Sequence, residues 1–157
     1  MAKTTRRSKA GGRKEQPTWQ PVTAVGMLTS VVAEQLEHTH AQLVLMEQAR
    51  PTRPDARILD DRTVSETLRV YGRMSADYHN LFAEQGRRSQ ADPTLSATQA
   101  AQVDAYVALV DEHIAVLDDI LALTRQVQGH TIEKIMAKSD LELGIEALRG
   151  RGHLGPD

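Results

Sequence analysis

The chain contains no cysteine, which excludes disulfides, thiolate metal sites and cysteine nucleophiles. That absence suits a reducing compartment, and a cytoplasmic location is the expectation. Aromatic residues are few: Trp19, Tyr71, Tyr78, Phe82 and Tyr106. Sheet-rich domains lean on aromatic and β-branched side chains, so this scarcity argues against a β fold. No apolar run is long enough to span a bilayer, so no membrane partner is expected. There is no GxxxxGK[ST] phosphate loop, and no serine sits in a nucleophile elbow. Gly150-Arg-Gly152-His-Leu-Gly155 spells GxGxxG, but it follows no strand and opens no helix, so the dinucleotide reading fails on context. Few chemistries remain for an enzyme to use, and a non-enzymatic chain without a cofactor is expected.

What the chain does contain is Ala, Leu, Gln, Glu and Arg, the residues that favour helix. Its 157 residues fit one domain. The formal net charge of −2 hides an asymmetry. Residues 1–16 carry six bases (Lys3, Arg6, Arg7, Lys9, Arg13, Lys14) against Glu15, a balance of +5; the remaining 13 bases and 20 acids give −7. With no large apolar residue after Met1, residues 1–16 cannot offset their ordering entropy and read as a disordered basic arm. Such an arm offers non-specific phosphate contacts to nucleic acid, or simply solubilises the terminus. It has no interleaved aromatics for base stacking, which argues against sequence readout. Arg6-Arg7 ahead of the uncharged run 16–33 has the outline of an export signal, but Gly11, Gly12, Pro17, Trp19 and Pro21 separate the basic and apolar parts.

Helical periodicity then organises residues 17–149 as a single bundle domain, with 150–157 as a flexible tail. Val25, Leu28, Val32, Leu36, Leu43 and Met46, with Thr39 in the gap, trace one stripe of a first helix over about 21–50. Pro51 and Pro54 end it. Asp60 or Asp61 caps a second helix over about 61–87, with stripe residues Val64, Leu68, Tyr71, Met74, Tyr78, Leu81 and Phe82. Ser96 or Thr98 caps a third, over about 97–128 or to 138 depending on whether Gly129 breaks it. Its stripe runs from Val103 through Tyr106, Val110, Leu117 and Ile120 to Leu123. Ser139-Asp-Leu-Glu142 fits a capping box, predicting a short last helix over 139–149. Short loops between long helices favour antiparallel neighbours, so the predicted fold is all-α: an antiparallel three-helix bundle plus a short C-terminal helix.

Two expectations follow from that register. With loops centred near 55–56 and 92–93, Glu47 faces Arg62, Arg69 faces Asp118, and Arg73 faces Asp111 or Glu112, as flanking pairs that set helix orientation. In the same register residues 124–138 overhang the second helix while staying apolar on one side. Either the 51–61 loop and the last helix fold back over them, or a second chain covers them. Val127, Ile132, Ile135, Met136, Leu141, Ile145 and Leu148 are therefore the candidate partner surface, for another protein or for self-association.

One cluster has metal-ligand spacing. Glu37 and His40 are an i, i+3 pair, and Glu112 and His113 lie at the same height. The di-iron arrangement needs four helices and a second Glu-x-x-His, and Arg73 nearby disfavours a cation, so a solvated polar flank is the preferred reading. The predicted function is a helical interaction protein or small subunit of an assembly, with a nucleic-acid-associated accessory protein and a metal-binding bundle as alternatives. The last predicted helix carries Asp140, Glu142 and Glu146, the wrong sign for a recognition helix, which leaves any nucleic-acid contact to the arm.

Overall fold

A computed structural model describes residues 16–151 of the chain. Every regular element in that range is helical. A 3₁₀ turn at Val22–Ala24 leads into α1 (Val25–Gln48). The second long helix is built from α2 (Asp61–Asp77), a π-turn at Tyr78–Phe82 and α3 (Ala83–Gln90). Then come α4 (Ala97–Val127) and α5 (Ile132–Arg151). α4 is the central element: α1 packs along it on one side, α2 and α3 on another, and α1 and α2 make little contact with each other.

The predicted caps form. The Asp60 carboxylate accepts from the Thr63 amide at 2.7 Å, and the Thr63 side chain and amide together hold its pKa below the ordinary value. Ser96 and Gln99 exchange side-chain and backbone bonds at 3.1 and 3.0 Å, a full capping box at the start of α4. Each such cap contributes about 1 kcal/mol by satisfying amides the helix cannot satisfy itself.

Burial follows the stripes. One end of the core joins Leu36, Met46 and Ala49 of the first helix and its end to Val64, Val116, Ile120, Leu123 and Val127. The other joins Val25 and Val32 to Tyr78, Val103, Tyr106, Val110 and Leu117. Thr39, in the gap of the α1 stripe, is buried as its position required.

Three boundaries differ from expectation. Gly86 does not begin a break. The helix continues to Gln90, and at Gly86 it lies close against α4: a Cβ there would sit 2.8 Å from Val107 Cγ2. The third long helix does stop before Gly129, and the next helix begins at Ile132 rather than Ser139. Ser139 is a mid-helix residue whose hydroxyl donates to the Ile135 carbonyl at 3.1 Å. Long-range bonds set the earlier start. The Thr131 hydroxyl donates to Asp61 Oδ1 at 2.5 Å, the Ile132 amide to the Leu59 carbonyl at 3.0 Å, and Glu133 accepts from the Asp61 amide at 3.0 Å. The helix also runs one residue past Gly150, where the tail was expected to begin.

The expected charge register is also corrected. Arg69 pairs with Glu66 on its own helix at 2.5 Å, and Glu47 pairs with Arg50. Among the described residues no salt bridge joins α2 to α4. The local i, i+3 geometry satisfies Arg50 and Arg69 without any interhelical approach, while Arg73 makes no salt bridge with any described residue; such exposed pairs are worth only about 0–1 kcal/mol. The pairs that do cross, Tyr78 with His113 and Gln90 with Asp104, centre near residue 96 rather than 92–93, because α3 outlasts Gly86.

Candidate functional site

The π-turn positions the most unusual buried group. Its wider coil stacks Tyr78 on Phe82, with ring centroids 4.4 Å apart and 9° between planes. The Tyr106 hydroxyl donates to the Phe82 carbonyl at 3.0 Å. Burial pushes the Tyr106 phenol up to about 12 and that of Tyr78 further in the same direction. The Tyr78 hydroxyl donates to Gln35 Oε1 at 2.5 Å, and its ring lies 4.0 Å from that of His113.

His113 is fully buried. Its Nε2 lies 2.8 Å from Thr39 Oγ1, whose own hydrogen goes to the Gln35 carbonyl at 2.7 Å. With that hydrogen committed, the threonine oxygen can only accept, so His113 carries its proton on Nε2. Nδ1 is then an unprotonated acceptor, and among the described residues it has no hydrogen-bond partner. Burial, reinforced by the nearby His40, lowers the His113 pKa from 6.5 to about 4. The imidazole is neutral at pH 7.

This geometry decides how the metal-spaced residues sit. The predicted layer exists, since His40 Nε2 comes within 3.6 Å of Glu112 Oε1 across α1 and α4. His113, however, turns inward to Thr39, while Glu37 is exposed. Among the described residues no three His, Cys, Asp or Glu side chains converge on a point that could hold a metal ion.

The candidate partner surface divides in two. Val127 is core: only 1 % exposed, it packs with Met46, Ala49 and Leu59, because the 49–60 loop folds over the end of α4. The other six residues are exposed, along with Leu143. Every residue of α5 from Ile132 to Arg149 is exposed, and beyond its first turn the helix does not pack on the bundle. At about 100° per residue, Ile132, Ile135, Met136 and Leu143 share one face, while Leu141, Ile145 and Leu148 share the opposite one. Leu143, which the candidate set does not include, is 63 % exposed and belongs to the first of these faces.

The N-terminal strap was not foreseen. The Gln85 side chain accepts from the Gln20 amide at 2.8 Å and donates to the Gln20 carbonyl at 3.0 Å, pairing with the backbone as a strand would. Arg88 lies over the Trp19 ring, 4.4 Å from its centroid. Beneath the strap is an apolar cavity of about 310 Å³ lined by Trp19, Leu28, Leu81, Phe82 and Tyr106. The arm residues Lys3, Arg6, Arg7, Lys9, Arg13 and Lys14 lie outside the described range.

No helix among the described residues is long and apolar enough to cross a membrane. No family model, curated protein or solved structure matches the chain.

Proposed function

We propose that this protein is a non-enzymatic helical interaction protein, a small subunit of an assembly, and that α5 is the element it presents to a protein partner. The observation that carries this is the exposure of α5 on all sides. Seven large apolar residues stand in water on a helix that no other described residue covers. A 20-residue helix is marginal in isolation, and Gly144 in its interior costs it about 1 kcal/mol. Burying each large apolar side chain would return about 1.5–3 kcal/mol. A helix apolar on opposite faces fits between two elements of a partner better than onto a single flat surface. The exposed His40–Glu112 pair and the sealed imidazole of His113 suit a structural role, since no substrate reaches the latter.

The test is affinity capture from the native host with the intact chain and with the Leu141→Gln, Ile145→Gln, Leu148→Gln triple variant. These side chains touch nothing in the bundle, so thermal unfolding of the bundle should not change. The expected result is a partner recovered with the intact chain and lost with the variant. Recovery of the same proteins with both, or of none with either, refutes the reading.

A further inference from the structure

α1 has a second stripe, turned away from the core. Met27, Val31, Glu34, His38, Ala41 and Leu45 follow one another at alternating spacings of four and three, the seam of a two-stranded coiled coil. All six are exposed: Met27 by 62 %, Val31 by 39 % and Leu45 by 48 %. The buried stripe Val25, Val32, Leu36, Thr39 and Met46 lies on the far side of the same helix. A partner on the outer seam would therefore meet no other part of the bundle first.

The seam reads the same in both directions. About a point near residue 36, reversal sets Met27 against Leu45, Val31 against Ala41 and Glu34 against His38, each pairing occurring twice. This is the pattern an isologous two-fold interface needs, in which residue i meets j and j meets i. Charge fixes the direction and register. A parallel pair would set Glu34 on Glu34 and His38 on His38. Sliding the antiparallel pair by one heptad would place Glu34 against Leu45 or Val31, stranding a carboxylate on an apolar residue. Only the arrangement centred near residue 36 matches apolar with apolar and acid with imidazole along the whole seam. Glu37, at the edge beside the dyad, is the one like-charged neighbour, and it stays in solvent.

We infer that this face of α1 binds a second copy of the chain, as an antiparallel α1–α1 pair with its two-fold axis near residue 36. The pairing does not involve α5, so the protein has two separate interfaces: one that duplicates it and one that it offers to another protein. A single-helix seam lies at the small end of specific interfaces, which places the dimer in roughly the micromolar range.

The cysteine-free chain is a clean background for the test. Full-length Met27→Cys and Leu45→Cys proteins are prepared separately, then mixed at tens of micromolar under mild oxidation. The expected product is the mixed disulfide, formed at least about tenfold faster than either homodisulfide, because like positions lie about 27 Å apart along the antiparallel seam. Met27→Cys coupling to itself as fast as to Leu45→Cys, or no coupling in any combination, overturns the inference. In sedimentation equilibrium of the full chain, His38→Glu should weaken the dimer by about tenfold. The exchanged variant Glu34→His/His38→Glu should return it to within about threefold of the original. Failure of the exchange to restore the dimer also overturns it. The α5 triple variant should cross-link like the parent. If it does not, self-association belongs to α5 and the α1 seam is refuted, whatever α5 proves to capture.

Discussion

Lowering the pH should destabilise this protein through one residue. His113 is neutral in the fold, with a pKa near 4 against 6.5 when exposed, because charging it would place a cation among Thr39, Tyr78 and Gln35 with His40 nearby. Above pH 6.5 neither state is protonated and the full stability is present. Below 6.5 the unfolded chain takes up a proton that the folded chain refuses. Each pH unit then removes about 1.4 kcal/mol, and the loss levels off at about 3 kcal/mol near pH 4. The window from 6.5 to 4.5 is well separated from the carboxylates. Glu47, Asp55, Asp60, Glu66, Glu84 and Asp92 have lowered pKa values, so their contributions are present above the ordinary carboxylate range and fall away only below about 4.5. The assay is urea unfolding at half-unit steps from pH 7.5 to 4.5, with the parent beside His113→Phe and His113→Leu. The parent should lose about 2–3 kcal/mol across the window. Both variants should be nearly flat whatever their absolute stability. A flat parent, or variants that keep the parent's slope, would refute the burial argument. Nitrogen chemical shifts give a second reading: at pH 7 the ring should be the Nε2–H tautomer.

Three further outcomes follow from other contacts. Gly86→Ala gains about 1 kcal/mol of helix propensity but drives its methyl into the stiff Val107 side chain, so chemical denaturation should show a net loss of about 1–3 kcal/mol. Pairing it with Val107→Ala should recover part of that loss, and an unchanged or increased stability in Gly86→Ala would refute the close approach. Gln85→Ala removes both bonds to the Gln20 backbone, so the emission of Trp19, the chain's single tryptophan, should shift red and its acrylamide quenching should rise. Unchanged Trp19 fluorescence would mean that Gln85 does not hold the strap. We propose secondarily that the six bases of the arm contact phosphate. Binding to duplex DNA should then fall with salt at a log–log slope of about −5, and deletion of residues 1–15 should abolish it. A slope near zero, or binding that survives the deletion, would exclude the arm.

Periodicity made the bundle legible, because a stripe of apolar residues at spacings of three and four has few ways to be buried other than along a neighbouring helix. The caps were legible for a similar reason: Asp60 and Ser96 act on amides three residues away. What failed needed knowledge of distant parts of the chain. Ser139-Asp-Leu-Glu142 is a sound local cap signal, yet α5 starts seven residues earlier, where Leu59 and Asp61 hold Thr131 to Glu133 in place. The charge register failed because an exposed arginine with an acid three positions away has no need of another helix.

His113 shows that some of the missed information was in the sequence after all. Along α4 the buried residues Val103, Tyr106, Val110, His113, Leu117, Ile120, Thr124 and Val127 alternate three and four apart without a gap, so position 113 is as much a core position as its neighbours. Reading Glu112 and His113 as one flank pair ignored that. Along α1 the same spacing is interrupted by a polar residue once, at Thr39. Two polar residues on the core stripes of two adjacent helices, level with each other, are best explained by their meeting: a lone buried hydroxyl or imidazole is costly, while a bonded pair is not. The bond satisfies Nε2, while no described residue bonds Nδ1. Sliding α1 along α4 by one turn would leave Thr39 its own-helix bond to the Gln35 carbonyl but would strand the His113 Nε2–H among aliphatic side chains. The Thr39–His113 bond thus fixes the height of α1 on α4, and with it the face that α1 turns outward.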